Sequence, residues 1–266
     1  MYNVIVSIKT FQYRIYPNKS QENKLINTLD ACRWTYNKIL EIRKLAWEDH
    51  KETITKFDTI NLLPILKKDN EFLKMVYSQN LQEVCGRVDL SIQGFFRRVK
   101  AGENPGYPRF MGNSRYSSFT YPQFPIKGFA LTCENKLSLC KIGNIKIILH
   151  RPIEGKIKTL TIKRNPTGKW FANFTCEVES VPMSDSNNYV GIDMGLTVFA
   201  KLSNGDPVEN PRFFRKSKKA LAKVQRRFSK QEKMAPERKH HLKAVRLVHE
   251  KRLISVMILL INYLLN

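Results

Sequence analysis

The hydrophobic period changes from that of a helix to two between residues 100 and 116, and no other feature constrains the fold as much. Before that point apolar residues recur at helical spacing. Leu25, Leu29, Cys32, Tyr36 and Leu40 mark a long amphipathic helix that runs to about Trp47. Thr59 to Leu66 and Asn70 to Lys100 read as further helices; the longest opens at Ser78 and buries Leu81, Val84, Val88, Ile92 and Phe95. From Tyr116 to Val178 the period is two. Ile145, Ile147 and Leu149 alternate, as do Leu160 and Ile162, and Trp170, Ala172, Phe174, Cys176 and Val178 make the clearest strand. Asn165-Pro166-Thr167-Gly168 is a hairpin signal between the last two strands.

Strand signals also precede the helices. Val4, Val6 and Ile8 alternate, then Phe11, Tyr13 and Ile15 continue on the other parity, so a bulge or the end of a loose extension is expected at Lys9-Thr10. Pro17 breaks this strand, and Asn18 or Ser20 can cap the helix that follows. Several strands at short spacing predict a small barrel, closed by the strand at residues 10–16 and interrupted by the helical block.

Charge points to a polyanion partner. The 266 residues carry 46 Lys+Arg against 23 Asp+Glu, a formal net charge of +23, far beyond what solubility needs. Hydrophobic residues at 42% and aromatics at 11% exclude a basic disordered tail. Five cysteines without a Cys-x-x-Cys pair argue against a disulfide framework and a zinc ribbon, and fit a reducing cytoplasm. No signal peptide is evident at Met1–Val6.

Three groups of residues could carry function. Arg97, Arg98, Lys100 and Arg109 interleave with Phe96, Tyr107 and Phe110, which suits phosphate contacts and base stacking. Cations placed to meet a helix macrodipole would look the same. Arg33, Trp34 and Asn37 sit off the first helix's apolar stripe, where nucleic-acid contact and ordinary packing are both open. From about Arg215 a helical run to Arg252 carries Arg215, Lys218, Lys219, Arg226, Arg227 and Lys230 among fifteen cations. Only Glu232, Glu237 and Glu250 oppose them, with one apolar stripe of Leu221, Val224 and Phe228. So one-sided a face would repel itself without an anionic partner.

Asp193 is a fourth candidate. It stands between Gly191 and Gly195, at the junction of two short apolar strands beginning at Tyr189. Gly195 suits a turn that needs unusual backbone angles, and Gly191 leaves the aspartate's face bare. A carboxylate so placed could be the first ligand of a divalent-metal phosphodiesterase, since Mg²⁺ prefers hard oxygens. It could equally cap a turn between strands. Leu253–Leu265 is almost wholly apolar, without amphipathicity, and too short for the about 20 residues of a membrane span.

Taken together the motifs resemble the TnpB/OrfB family of transposon-encoded proteins, over roughly residues 8–250. The residues that carry the likeness are Phe11–Pro17 with Gln21, Cys32–Asn37, Gln82–Val84, Phe95–Lys100, Gly106–Phe110, Ser118–Pro122, Lys169–Phe171, Gly191–Leu196, Asn210–Phe213 and Gln225–Arg227. The resemblance implies an α+β multidomain fold: a wedge β-barrel with an inserted helical recognition domain, then an RNase H-like (RuvC) domain. The implied divisions are 1–17 and 113–183 for the barrel, 18–112 for an HTH-like helical domain, and 188–252 for an incomplete RuvC domain with a basic helical insertion. Residues 253–266 form an aberrant apolar tail.

The resemblance also implies RNA-guided cleavage of DNA, Mg²⁺ as cofactor, guide RNA and DNA as partners, a prokaryotic cytoplasmic location, and Asp193 as the first RuvC carboxylate. No membrane or stable protein partner is expected. The family's later Glu motif, Cys-x-x-Cys zinc ribbon and Asp motif are missing here, and the match fades after His249-Glu250-Lys251. That break reads as a frameshift or premature stop, with Mg²⁺ not productively bound.

Overall fold

Strand β1 (Ile5–Tyr16) is the spine of the computed structural model, which describes residues 5–124, 128–132, 135–180, 189–203, 205 and 207–264. The chain divides into two units, Met1–Val181 and Pro182–Asn266. In the first, β1 pairs antiparallel with β7 (Trp170–Ser180) and, at its C-terminal end, with β5 (Gly143–Ile148). The other strands are β2 (Ser118–Tyr121), β3 (Phe129–Thr132), β4 (Lys136–Leu139) and β6 (Lys156–Arg164). All seven make one antiparallel sheet in the order β2-β6-β7-β1-β5-β4-β3. The sheet curls until its edges approach: the Tyr121 ring of β2 lies 6.2 Å from the Phe129 ring of β3.

Two expectations about β1 need correction. It does not close the barrel but sits in the middle of the sheet. Nor is there a bulge at Lys9-Thr10, because the register runs unshifted from Ile5 opposite Ser180 to Ile15 opposite Trp170. The change of parity has another cause. Phe11, Tyr13 and Ile15 point into the barrel, whereas Val6 and Ile8 lie on the opposite face and are exposed. Tyr13 is fully buried. Its hydroxyl donates to the Arg151 carbonyl at 3.1 Å, and burial pushes its pKa up.

The β6–β7 hairpin forms as its turn residues demand. The Asn165 side-chain oxygen accepts from Lys169 N at 2.7 Å and from the Thr167 hydroxyl at 2.9 Å, with Gly168 at φ +90°.

Helices α1 (Lys19–His50), α2 (Lys56–Asp69) and α3 (Ser78–Lys100) are inserted between β1 and β2. Asn18 caps α1 in a reciprocal box with Gln21, and Gln21 Nε2 also donates to the Asn144 carbonyl at 2.7 Å, which docks the helix start on the barrel. Helix α3 opens at Ser78 as expected, but residues 70–77, expected to be helical as well, are not α-helix. Asn70 gives both its N–H and its side-chain amide to the Leu66 carbonyl, which ends α2, and a 3-10 turn (Glu71–Met75) follows. Buried Leu73 anchors that turn.

The α1 stripe from Leu25 to Leu40 and the α3 stripe from Leu81 to Ile92 belong to one hydrophobic core with the barrel. Burial pushes the Cys32 thiol up to about 12. Arg43 and Asp89 pair at 2.8 Å across α1 and α3, both largely shielded. Arg87 ties α3 to the barrel edge, donating to Ser118 O at 2.7 Å and Thr120 Oγ1 at 2.9 Å.

The second unit holds β8 (Ile192–Met194), β9 (Val198–Leu202) and β10 (Val208–Glu209), antiparallel in the order β10-β9-β8, then α4 (Phe213–Ser229) and α5 (Pro236–Leu264). The expected single basic run is thus two helices. Arg238 stacks on Phe228 at 4.2 Å and Arg252 on Phe214 at 5.1 Å, so the two run antiparallel. Pro236, at the first position of α5, is the residue that marks the break.

The apolar stretch after Arg252 is a continuation of α5. Leu253, Ile254, Met257 and Ile258 are exposed, while Ser255, Val256 and Leu259, on the face that Arg252 shares, are half-buried. No helix among the described residues is long and apolar enough to cross a membrane. The linker expected at 181–188, and Asn204 and Asp206 of the expected turn, lie outside the described residues.

Candidate nucleic-acid interface

Helix α4 sorts its residues by face. Phe213, Ser217, Leu221, Val224 and Phe228 recur every three or four positions and are buried or half-buried. Seven of the twelve other residues on the helix are Lys or Arg. Lys218, Lys219, Lys223, Arg226, Arg227 and Lys230 line an open groove of about 870 Å³ with Ala222. Arg215 stands exposed one turn earlier. Among the described residues, no ion pair involves any of these cations. Neighbours one turn apart on a helix are about 5–6 Å apart, within a Debye length of about 10 Å, so their repulsion is only partly screened. A polyanion along the groove relieves it.

A second basic surface lies at the end of α3. Phe95 meets Phe96 at 5.3 Å and Tyr107 at 5.5 Å, both edge-on. Arg97, Arg98, Lys100 and Arg109 are exposed around these rings, as is Phe110. Arg98 Nε also donates to the Gly94 carbonyl at 3.2 Å, so one cation does serve the helix end. Burial raises the Tyr107 pKa.

Arg33 belongs to neither surface. It pairs with Asp30 at 3.3 Å and lines a separate cleft of about 730 Å³ with Trp34, Phe72, Lys24, Lys74 and Lys141. Trp34 packs edge-on against Phe72 at 5.4 Å. Asn37 has a structural task that its position off the stripe did not reveal. Its side chain accepts from Met111 N at 2.7 Å and donates to Met111 O at 3.1 Å, pinning the loop after α3 to α1.

Asp193 lies on β8 opposite Lys201 and is exposed, as are its neighbours Ile192 and Met194. The first of the two expected strands is only three residues long and does not include Val190 or Gly191. Gly191 instead exchanges bonds with Ser203, through Ser203 Oγ at 3.0 Å and Ser203 N at 2.9 Å. Gly195 is a glycine for a different reason from the one expected. Its φ is not positive; a side chain there would press on the Val198 carbonyl, 3.0 Å from the added carbon. Asn210 braces the turn, donating to Leu196 O at 2.8 Å.

Among the described residues no group of three or more His, Cys, Asp or Glu side chains could hold a metal ion. One exposed carboxylate does not satisfy Mg²⁺, which demands near-octahedral oxygen ligation, so the donors described here do not fit that ion.

The fold and these surfaces define a class: an α+β protein with a helical insertion in a curled antiparallel sheet and a cationic helix face in its second unit. The comparisons with known proteins then narrow it. A family described as "Helix-turn-helix domain" (HTH_OrfB_IS605) matches residues 7–52, and one described as "Probable transposase" (OrfB_IS605) matches 173–256. A Streptomyces pristinaespiralis protein named "Putative RNA-guided DNA endonuclease" is 31% identical over 248 residues, 91% of this chain and 60% of its own length. The Escherichia coli K12 protein of the same description, InsQ, is 29% identical over 232 residues, 86% of this chain and 55% of its own. The chain belongs to the TnpB/OrfB family of transposon-encoded proteins.

It spans about 60% or less of the length of these two relatives. Among solved structures, a Cas12f1–sgRNA–target DNA complex matches with TM-score 0.38 at 12% identity, covering 92% of this chain and 64% of that one. A Cas12f ternary complex gives 0.39 at 12%, covering 86% and 56%. Residues 7–52, the segment matched by the helix-turn-helix family, hold most of β1 and helix α1.

Proposed function

We propose that this chain is the nucleic-acid-holding part of an RNA-guided DNA endonuclease, and that by itself it binds guide RNA and DNA without cutting. The observation that carries the reading is the α4 face, where six groove-lining cations have no ion pair among the described residues. The names of the relatives supply the kind of polyanion: RNA as guide, DNA as target. In this reading the curled sheet is the wedge, residues 18–112 are the recognition domain, and residues 188–252 are the RuvC-like part. The protein acts in the prokaryotic cytoplasm, where both nucleic acids are present.

The chemistry of the described carboxylates supports the reading that the chain does not cut by itself. Phosphodiester hydrolysis by a two-metal centre needs several carboxylates around ions about 3.5–4 Å apart. Asp193 is the family-matched carboxylate, and nothing described beside it completes such a set. The residues present would hold and orient strands; activating water or stabilising a leaving oxygen needs ligands from elsewhere.

The test is the RNA that the chain retains when purified from cells carrying its gene with the flanking DNA. One enriched species of defined sequence is expected. A random sample of cellular RNA would show a non-specific basic protein instead, and no retained RNA would refute nucleic-acid binding altogether.

A further inference from the structure

A cleft in the first unit has no part in the account so far. It forms where the C-terminal half of α1, residues 51–55 and the last turns of α3 meet, and it encloses about 400 Å³. Pockets of this size, mostly apolar with a few polar groups, are the usual form of a small-ligand site. Trp47, Phe95, Phe96 and Tyr107 supply its aromatic walls, with Ile54 and Ile92. Trp47 is 52% and Phe96 51% exposed, an unusual amount of ring surface to leave in water. Phe95 meets Phe96 and Tyr107 edge-on, at interplanar angles of 64° and 69°, so these rings are not stacked face to face, and Lys51 Nζ lies over one face of Trp47 at 5.8 Å.

Charge separates the inside of this cleft from its edge. Within the walls, Arg43 is paired with Asp89 at 2.8 Å and Lys44 with Glu48 at 3.6 Å. A phosphate would gain little there. Along the same helix end and the loop beyond it stand Arg97, Arg98, Lys100 and Arg109, none in an ion pair among the described residues. An apolar, flat-walled interior beside a cationic edge matches a nucleotide: a π-face for the rings and a phosphate for the cations.

We propose that this cleft takes one unstacked base from a bound nucleic-acid strand whose phosphates lie along Arg97, Arg98, Lys100 and Arg109. The proposal rests on the reading that the chain holds nucleic acid, and it adds a place where stacking, as opposed to charge, contributes to the grip. Stacking is indifferent to salt, so its loss has a different signature from the loss of a cation.

The test compares the full chain with Trp47→Leu and Phe96→Leu, titrated by fluorescence anisotropy against short single-stranded RNA and DNA of one sequence at several salt concentrations. Each variant is expected to bind about tenfold more weakly to at least one of the strands, with an unchanged salt slope. Phe96→Tyr, which keeps a ring, is expected to bind as the wild type does. The RNA and DNA arms show which strand supplies the base. Wild-type affinity in both Leu variants would overturn the proposal while leaving the parent reading intact. No binding by the wild type at any salt would overturn both. Photo-crosslinking of wild-type complexes covers the case in which a variant fails to fold. Crosslinks at Trp47, Phe96 or Tyr107 support the pocket, and crosslinks confined to other surfaces overturn it.

Discussion

Gly155 holds the start of β6 at φ +76°, where a methyl group would run into the Glu177 carbonyl on β7. Backbone cannot yield as a flexible side chain can, and the left-handed conformation adds its own strain for any other residue. Gly155→Ala is therefore expected to cost about 2 kcal/mol, read as a lower thermal midpoint. An unchanged midpoint would mean that the β6–β7 ladder can shift aside. Asp58 offers a test at the same scale through pH. Its carboxylate accepts from the Thr55 hydroxyl and the Thr55 N–H, and these bonds lower its pKa. A folded pKa below the unfolded one gives a contribution that is complete above the ordinary carboxylate range and fades as pH falls through the lowered value. Thr55→Ala removes one donor and is expected to move the Asp58 titration upward, measured by carboxyl NMR. A midpoint that stays put would show that the capping box does not form in solution.

At the scale of elements, α4 makes the strongest claim. Each phosphate neutralised contributes about 0.7–0.9 to the slope of log affinity against log salt. Arg226→Ala with Arg227→Ala is therefore expected to flatten the RNA-binding slope by about 1.4–1.8. A filter-binding titration with an unchanged slope would make α4 a solvated face and nothing more. The end of α5 makes a second claim. Leu253, Ile254, Met257 and Ile258 are exposed on the last turns of the helix. Deleting residues 253–266 is expected to reduce self-association in sedimentation, leaving the melting temperature unchanged. A lower melting temperature would show that the segment has found a place in the core.

What could be read from the sequence follows from how local each signal is. The stripes Leu25–Leu40 and Leu81–Ile92 and the Asn165–Gly168 turn are set by neighbours a few residues away, and all three form as the spacing says. The place of β1 in the sheet depends on partners more than a hundred residues distant, and no periodicity encodes which strands they are. Lys9-Thr10 misled because a change of exposed face leaves the same pattern as a bulge. At the candidate site, the cationic face of α4 was plain from composition. The cleft between α1 and α3 was not, since Trp47 and Tyr107 are sixty positions apart in the chain and meet only in the fold.

At the scale of the whole molecule we propose a chain that holds nucleic acid without cutting it. The first unit offers aromatic rings with cations around them; the second offers a cationic groove and, at Asp193, an exposed carboxylate with no metal-holding group around it among the described residues. Binding and cleavage can be followed together, in a plasmid time course with the purified chain, its RNA and Mg²⁺ or Mn²⁺, with Asp193→Ala alongside. The account predicts that both proteins retard the plasmid equally, because Asp193 contributes no phosphate contact, and that neither nicks it. Nicking by the wild type that disappears in Asp193→Ala would contradict the account, since the missing carboxylates would then have to come from a second copy or from residues assigned no such role here.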